Sequence, residues 1–254
     1  MSQNKPTQDD IEVWWSRFGS PLKEALVRVK EWSLEGEPER PRKIGFQEFS
    51  ARANGYLSFD DDGYSVDPGF AEVIRKLATA SFEEHLPDDE EIIPDTNTDN
   101  SGSTIMYDLA VRIAEQNKKV GRPIPNDLLS FSDPETRPDS PRKRGDDFEA
   151  RIFRSMLAAW GIQRAVDLGI NPSRNRVDAL NPRPDKLPCA ADMVLDAFHD
   201  AGWLEMTYDM VLSPWRDLQY GGTSNQRRLL KSTNSDVYDF RFEQLDDLIP
   251  KVIV

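Results

Sequence analysis

DDFEARIFRSMLAAWGIQRAVDLG, residues 146–169, is the stretch on which the fold turns. Asp146 stands where a cap accepts from the first helical turn, and Glu149, three residues on, is placed to reach back to the cap's own N–H. Gly169 supplies a left-handed stop, with Pro172 behind it. Between these ends Phe148, Ile152, Met156, Ala159 and Gln163 form one stripe, and Phe153, Leu157, Trp160 and Ile162 lie beside it. So wide a band needs neighbours on two sides. At roughly 1.5–3 kcal/mol per large apolar side chain, its burial contributes on the order of 10 kcal/mol before entropy is subtracted. The sequence predicts this helix at the centre of a helical core.

Working outward, residues 1–10 read as a disordered tail, and Asp9 or Asp10 opens a short helix through Ile11, Trp14 and Phe18 that closes near Gly19. Ser20 as cap and Pro21 at the first helical position start a second helix with Leu22, Ala25, Leu26, Val29 and Trp32 on one face, so the two predict a tight helical hairpin. An amphipathic piece follows around Phe46 and Phe49, then a small β-hairpin in which 56–59 and 64–66 flank Asp62-Gly63. Asp67-Pro68 opens a helix to about Glu84. The acidic stretch 87–102 reads as a linker, dividing an N-terminal acidic lobe (11–86) from a C-terminal helical lobe (103–254). Ser103 opens a helix that ends at Gly121, Pro188–Gly202 frames another, and Thr207 caps a short one towards Trp215. Tyr238, Phe240 and Phe242 alternate with Asp239, Arg241 and Glu243, which predicts a short C-terminal strand. The expected fold is mainly α, with a helical core, one small hairpin and that strand.

A chain of 254 residues with 30% charged residues and a mean hydropathy of -0.64 belongs to the water-exposed class and buries a core without covalent staples. Cys189 is the single cysteine and His85 and His199 the only histidines, so a disulfide framework and a Cys/His zinc site are both excluded. No secretory signal pattern and no membrane-length apolar run occurs, and the expectation is a cytoplasmic protein without membrane contact. The net charge of -13 opposes general binding to a phosphate backbone. That charge is uneven: the first 100 residues hold 11 basic and 22 acidic side chains, leaving only -2 for the rest.

The run SRNRVDALNP…LPCAADMVLDAFHDAGWLEMTYDMVLSPWRD, within 173–217, resembles a segment of uncharacterised helical proteins of bacterial genomes and mobile elements. The resemblance rests on an Arg-Asn loop, a small-Cys-Asp-x-Val helix and a short helix ending in Trp. It implies a bacterial origin and carries no activity.

Each chemical candidate has a plainer reading beside it. Cys189 in the first turn of a helix has the dipole that lowers a thiol pKa, but His199, ten residues on, lies about 15 Å along the same helix, so a buried packing role is favoured. Asp192, Asp196 and Asp200 stack in one column, the spacing of a magnesium site and also of a solvated helix face opposite Met193, Val194, Ala197 and Phe198. FDDDGY fails as a calcium loop, because Gly69 stands where a bidentate Glu is required, and Gly221-Gly222 lacks the lysine of a phosphate loop.

Residues 137–186 hold eleven basic against seven acidic side chains, local +4 in an acidic protein. These observations lead to a non-enzymatic interaction or regulatory protein that takes no metal or cofactor. It would meet a protein partner through Arg142, Lys143, Arg144, Arg174, Arg176, Trp14 and Trp15. The alternatives are a nucleic-acid-associated accessory factor using the basic 137–186 segment, and a metal- or thiol-dependent hydrolase through Asp192 and Asp196 or Cys189. The acidic run 88–91 and Arg142-Lys143-Arg144 are also expected to attract each other weakly, at under about 1 kcal/mol per exposed pair.

Overall fold

Helix signals in the sequence materialise in nearly every segment that the structure, a computed structural model, describes: residues 6–36, 39, 41–79, 103–141, 148–174, 187–220 and 242–252. Among these the chain forms nine α-helices and a two-stranded antiparallel sheet. The helices are α1 (Gln8–Trp14), α2 (Ser20–Ser33), α3 (Phe46–Ala53), α4 (Pro68–Thr79), α5 (Thr104–Val120), α6 (Phe148–Asp167), α7 (Ala190–Asp200), α8 (Tyr208–Tyr220) and α9 (Phe242–Val252). The strands are β1 (Leu57–Asp60) and β2 (Gly63–Val66), and a 3-10 turn spans Asn126–Phe131. The chain divides into two compact units, one of Met1–Arg42 with Ile152–Val254, the other Lys43–Arg151.

That division falls elsewhere than at 87–102. Helices α4 and α5 stand on either side of that stretch yet pack on each other in one unit, burying Phe70, Ile74 and Leu77 of α4 and Met106, Leu109 and Ile113 of α5. A polar run reports the lack of an apolar face, and says nothing about whether the helices flanking it part company. Residues 87–102 themselves lie outside the described residues.

In the first unit α6 is the centre, as its width of apolar surface predicts. From Met156 to Ile162 every residue is buried, including Gly161. Gly161 has a physical reason to be glycine: an added Cβ would lie 2.9 Å from Val194 of α7 and 3.1 Å from Leu22 of α2. The indole N–H of Trp14 donates to the Gly161 carbonyl at 3.1 Å. Gly169, at φ 84, ends the helix as expected, with Ile170 N–H returning to the Ala165 carbonyl at 3.0 Å.

The helical hairpin expected at the N-terminus does not form, and the helix begins earlier than the expected tail allows. Thr7 and Asp10 make a reciprocal capping box, so helix starts at Gln8. The chain then runs through Gly19, which is right-handed helical at φ -66, into α2. The link between α1 and α2 is a π-helical turn, Trp15–Gly19, in which Ser20 N–H bonds to the Trp15 carbonyl five residues back. Pro21 offers no N–H and its ring crowds the carbonyl four residues earlier, so widening the turn is the route by which helix continues past it. Gly19 is small because the Trp14 and Trp15 rings occupy the space a Cβ would need.

The predicted C-terminal strand is replaced in part by helix. Residues 238–241 lie outside the described residues, whereas Phe242 and Glu243 open α9. Leu245, Leu248, Ile249 and Val252 are all buried, at the three- and four-residue spacing of a helix face.

The second unit holds the hairpin in the expected place, Asp60 pairing with Gly63 and Leu57 with Val66. Asn117 of α5 fastens it: its side-chain carbonyl accepts from Tyr64 N–H at 2.7 Å, and its amide donates to the Tyr64 and Pro123 carbonyls at 3.0 and 3.2 Å. Asn117 is 1% exposed, so none of these groups has water to fall back on. Asn117→Ala should therefore lower the unfolding free energy by about 3 kcal/mol in urea titration followed by circular dichroism. A loss below about 0.5 kcal/mol, the range of ordinary surface changes, would contradict this role.

Candidate functional site

Of the residues expected to meet a partner, Arg142, Lys143, Arg144 and Arg176 lie outside the described residues, as does the acidic run 88–91. Trp14 is wholly buried and committed to Gly161, so it is a core residue. Trp15 is half-buried and meets Trp14 edge to face, with ring centroids 5.0 Å apart.

Arg174 is engaged within its own unit. Its guanidinium donates to Asp192 Oδ1 at 2.7 Å through Nε and again through a second nitrogen, its backbone N–H donates to the Tyr208 hydroxyl at 2.8 Å, and its charge lies 5.1 Å from the centre of the Tyr208 ring. Cys189 completes this group as the N-cap of α7: its N–H and its thiol both donate to Asp192 Oδ2 at 3.2 Å. Burial pushes the thiol above its ordinary value, and it pushes the Tyr208 hydroxyl up to about 12. A protonated thiol, a neutral phenol and a carboxylate held by Arg174 tie the 171–174 loop to α7 and α8; they do not make a nucleophile with its base.

The carboxylate column disperses its charges in the same way. Asp192 belongs to Arg174, Asp200 pairs with Lys23 at 3.0 Å, and Asp196 is raised by burial and then by its two acidic neighbours. No group of three metal-ligating side chains occurs among the described residues. His199 Nε2 contacts the Met206 carbonyl at 2.9 Å, which fixes the ring to the return loop rather than to the thiol.

A second arrangement was not foreseen. The π-helical turn lines a groove of about 530 Å³ together with the start of α2, the end of α6 and α9. Phe18, Pro21, Trp160, Leu168, Ile249 and Pro250 give it an apolar lining, and Phe18 meets Trp160 edge to face at 6.0 Å. Its polar groups are organised around Asp246. The Trp160 indole donates to Oδ1 at 2.8 Å, and Arg164 grips both oxygens, at 3.1 Å to Oδ1 and 2.5 Å to Oδ2. Arg164 also reaches Asp167 at 2.9 Å; burial pulls its guanidinium down, but the hydrogen bonds to Asp167 and Asp246 outweigh that and leave it raised. Arg17 stands apart. It is exposed, lies 5.6 Å from the centre of the Phe18 ring, and pairs with no carboxylate among the described residues. The groove is therefore an apolar trough with one clamped ion pair in its wall and one uncommitted cation at its edge.

Its residues come from three separated segments, and in each the local pattern reads as ordinary amphipathic helix. The one local signal was Gly19-Ser20-Pro21, whose tokens also spell a stop and a new start. No family model, no curated protein and no solved structure matches the chain. No helix among the described residues is long and apolar enough to cross a membrane.

The thiol environment gives a direct expectation. At neutral pH the native protein should react with a disulfide reagent such as dithionitrobenzoate at least about tenfold more slowly than an unfolded control, since the thiolate is the reactive form. Native labelling as fast as that of the unfolded chain would contradict the buried, protonated state assigned to Cys189.

Proposed function

We propose that this chain is a non-enzymatic interaction protein of the bacterial cytoplasm, and that it takes a short acidic-apolar segment of a protein partner in the groove beside the Trp15–Gly19 turn. The observation that carries the reading is the π-helical turn itself. Such turns cost helix geometry and recur at functional sites, and this one places Phe18 and Arg17 at the groove. The volume suits one or two apolar side chains. Arg17 at the edge suits a carboxylate next to that anchor, because the other guanidinium of the groove, Arg164, is already taken by Asp246 and Asp167. The bacterial setting rests on the resemblance within 173–217.

The energetics divide unequally. A rim ion pair to Arg17 contributes under about 1 kcal/mol and weakens with salt, whereas an anchor side chain seated against Phe18 and Trp160 contributes roughly 1.5–3 kcal/mol. The nucleic-acid reading has less support, since Arg174, one of the cations of the 137–186 segment, is already held by Asp192.

A displayed library of random dodecapeptides selected on the full-length protein tests the proposal. Recovered peptides should carry an aromatic or aliphatic anchor flanked by Asp or Glu. Phe18→Ala should weaken their binding about tenfold or more, and Arg17→Ala by at most about fivefold with a flatter salt dependence. Thermal melts on both variants separate lost binding from lost fold. Peptides that bind the Phe18→Ala protein as tightly as the wild type would overturn the reading, and a salt-dependent gel shift with duplex DNA in their place would favour the nucleic-acid alternative.

A further inference from the structure

Three helix N-termini of the Lys43–Arg151 unit meet at one side chain. Gly45 is the N-cap of α3, Ser103 is the N-cap of α5, and Glu149 stands in the first turn of α6. The Glu149 side chain is half-buried, with its Oε1 shielded from solvent. Its Oε2 accepts from the Ser103 hydroxyl at 2.5 Å, while its Oε1 has no hydrogen-bond partner among the described residues. Oε1 lies against the Gly45 backbone so closely that a Cβ there would collide with the carboxyl. Ser103 is committed on both sides, its oxygen also accepting from Met106 N–H at 3.2 Å to cap α5. The sequence predicts a capping role for Glu149, reaching back towards Asp146, which lies outside the described residues; among those described, the carboxyl accepts from Ser103.

The charges around it oppose ionisation. Glu48 of α3 is wholly buried and is joined to Arg52 at 3.2 Å, so α3 presents a second carboxylate towards Glu149. From α5 the facing group is the neutral Ser103, and on α6 the neighbouring Arg151 is exposed. Among the described residues no backbone N–H donates to Glu149, so the α3 and α5 ends act on it only as dipoles.

We propose that Glu149 is a pH-sensing group of this unit: neutral, it closes the join of the α3, α5 and α6 N-termini, and ionised, it leaves the join for water and uncaps α5. Burial foremost, opposed by the Ser103 hydrogen bond and aided by the charge of Glu48, raises its pKa from 4.5 to about 7. The sign follows from linkage. A carboxyl raised in the folded state holds its full stabilising contribution below its unfolded pKa and loses it as pH climbs to the folded value. The window runs from about 4.5 to about 7, with roughly a tenfold loss per pH unit, and the loss is complete above it.

Hydrogen exchange on the full chain tests this at the amides of Met106 and Tyr107, which bond to the Ser103 side chain and carbonyl. Protection in Glu149→Gln relative to wild type should be near one at about pH 4.5 and rise on the order of a hundredfold by about pH 8. A ratio that stays constant across that range overturns the proposal. If Glu149→Gln fails to fold, carbon-detected titration of the wild-type Glu149 carboxyl decides: a midpoint near 7 supports the sensor, and one near 4.5 removes it.

Discussion

The hydrogen bond from the Trp14 indole to the carbonyl of Gly161 fixes the geometry on which the Met1–Arg42 and Ile152–Val254 unit depends. It joins residues 147 apart in sequence, inside a core where neither group meets water. The carbonyl it uses is already part of a helix, so the bond is possible only where another element comes very close to the α6 backbone. Gly161 provides that closeness, with Leu22 of α2 and Val194 of α7 filling the volume of the missing side chain. The π-helical turn follows from the same packing. With Trp14 pinned to α6 and Gly19 pressed against the Trp14 and Trp15 rings, the chain passes Pro21 by widening a turn instead of breaking. The groove bounded by Phe18, Trp160 and Asp246 is thus built on the core that α6 organises.

Polar side chains in this protein act chiefly as fasteners between elements. Asp246 receives Trp160 and Arg164, Gln163 receives the Trp215 indole at 3.0 Å, Lys30 donates to the Gly202 carbonyl at 2.6 Å, and Asn117 holds β2. Groups that a sequence scan singles out for chemistry are drawn into the same pattern, Cys189 and Asp192 above all. Arg17 and Glu149 stand outside this pattern. Arg17 keeps its charge uncommitted at the groove, and Glu149 keeps one oxygen unserved, and both proposals rest on these exceptions.

Helix ends were legible because they are local. Gly169, Ser103 with Gly121, Asp67-Pro68 and Thr207 each carry the cap or stop chemistry within a few residues, and each acts where expected. The centrality of α6 was legible from the width of its apolar band. What failed were tokens with two meanings. Gly19-Ser20-Pro21 spells an ending and a beginning, yet Gly19 is there for ring packing. The site was less legible than the fold. Arg174 looks like a phosphate contact until Asp192, eighteen residues on, is brought to it, and no local pattern joins Phe18 to Trp160 and Asp246.

Substituting Gly161 by alanine puts the central claim to its plainest test, because the two physical effects have opposite signs. On intrinsic propensity alone, alanine in a helix interior stabilises by about 1 kcal/mol relative to glycine. If α2 and α7 close on α6 as described, the added methyl meets Val194 at 2.9 Å and Leu22 at 3.1 Å, and overpacking costs roughly 1–3 kcal/mol. Urea unfolding should show Gly161→Ala less stable than wild type. An equal or greater stability would contradict the crossing at Gly161 and the core built around it.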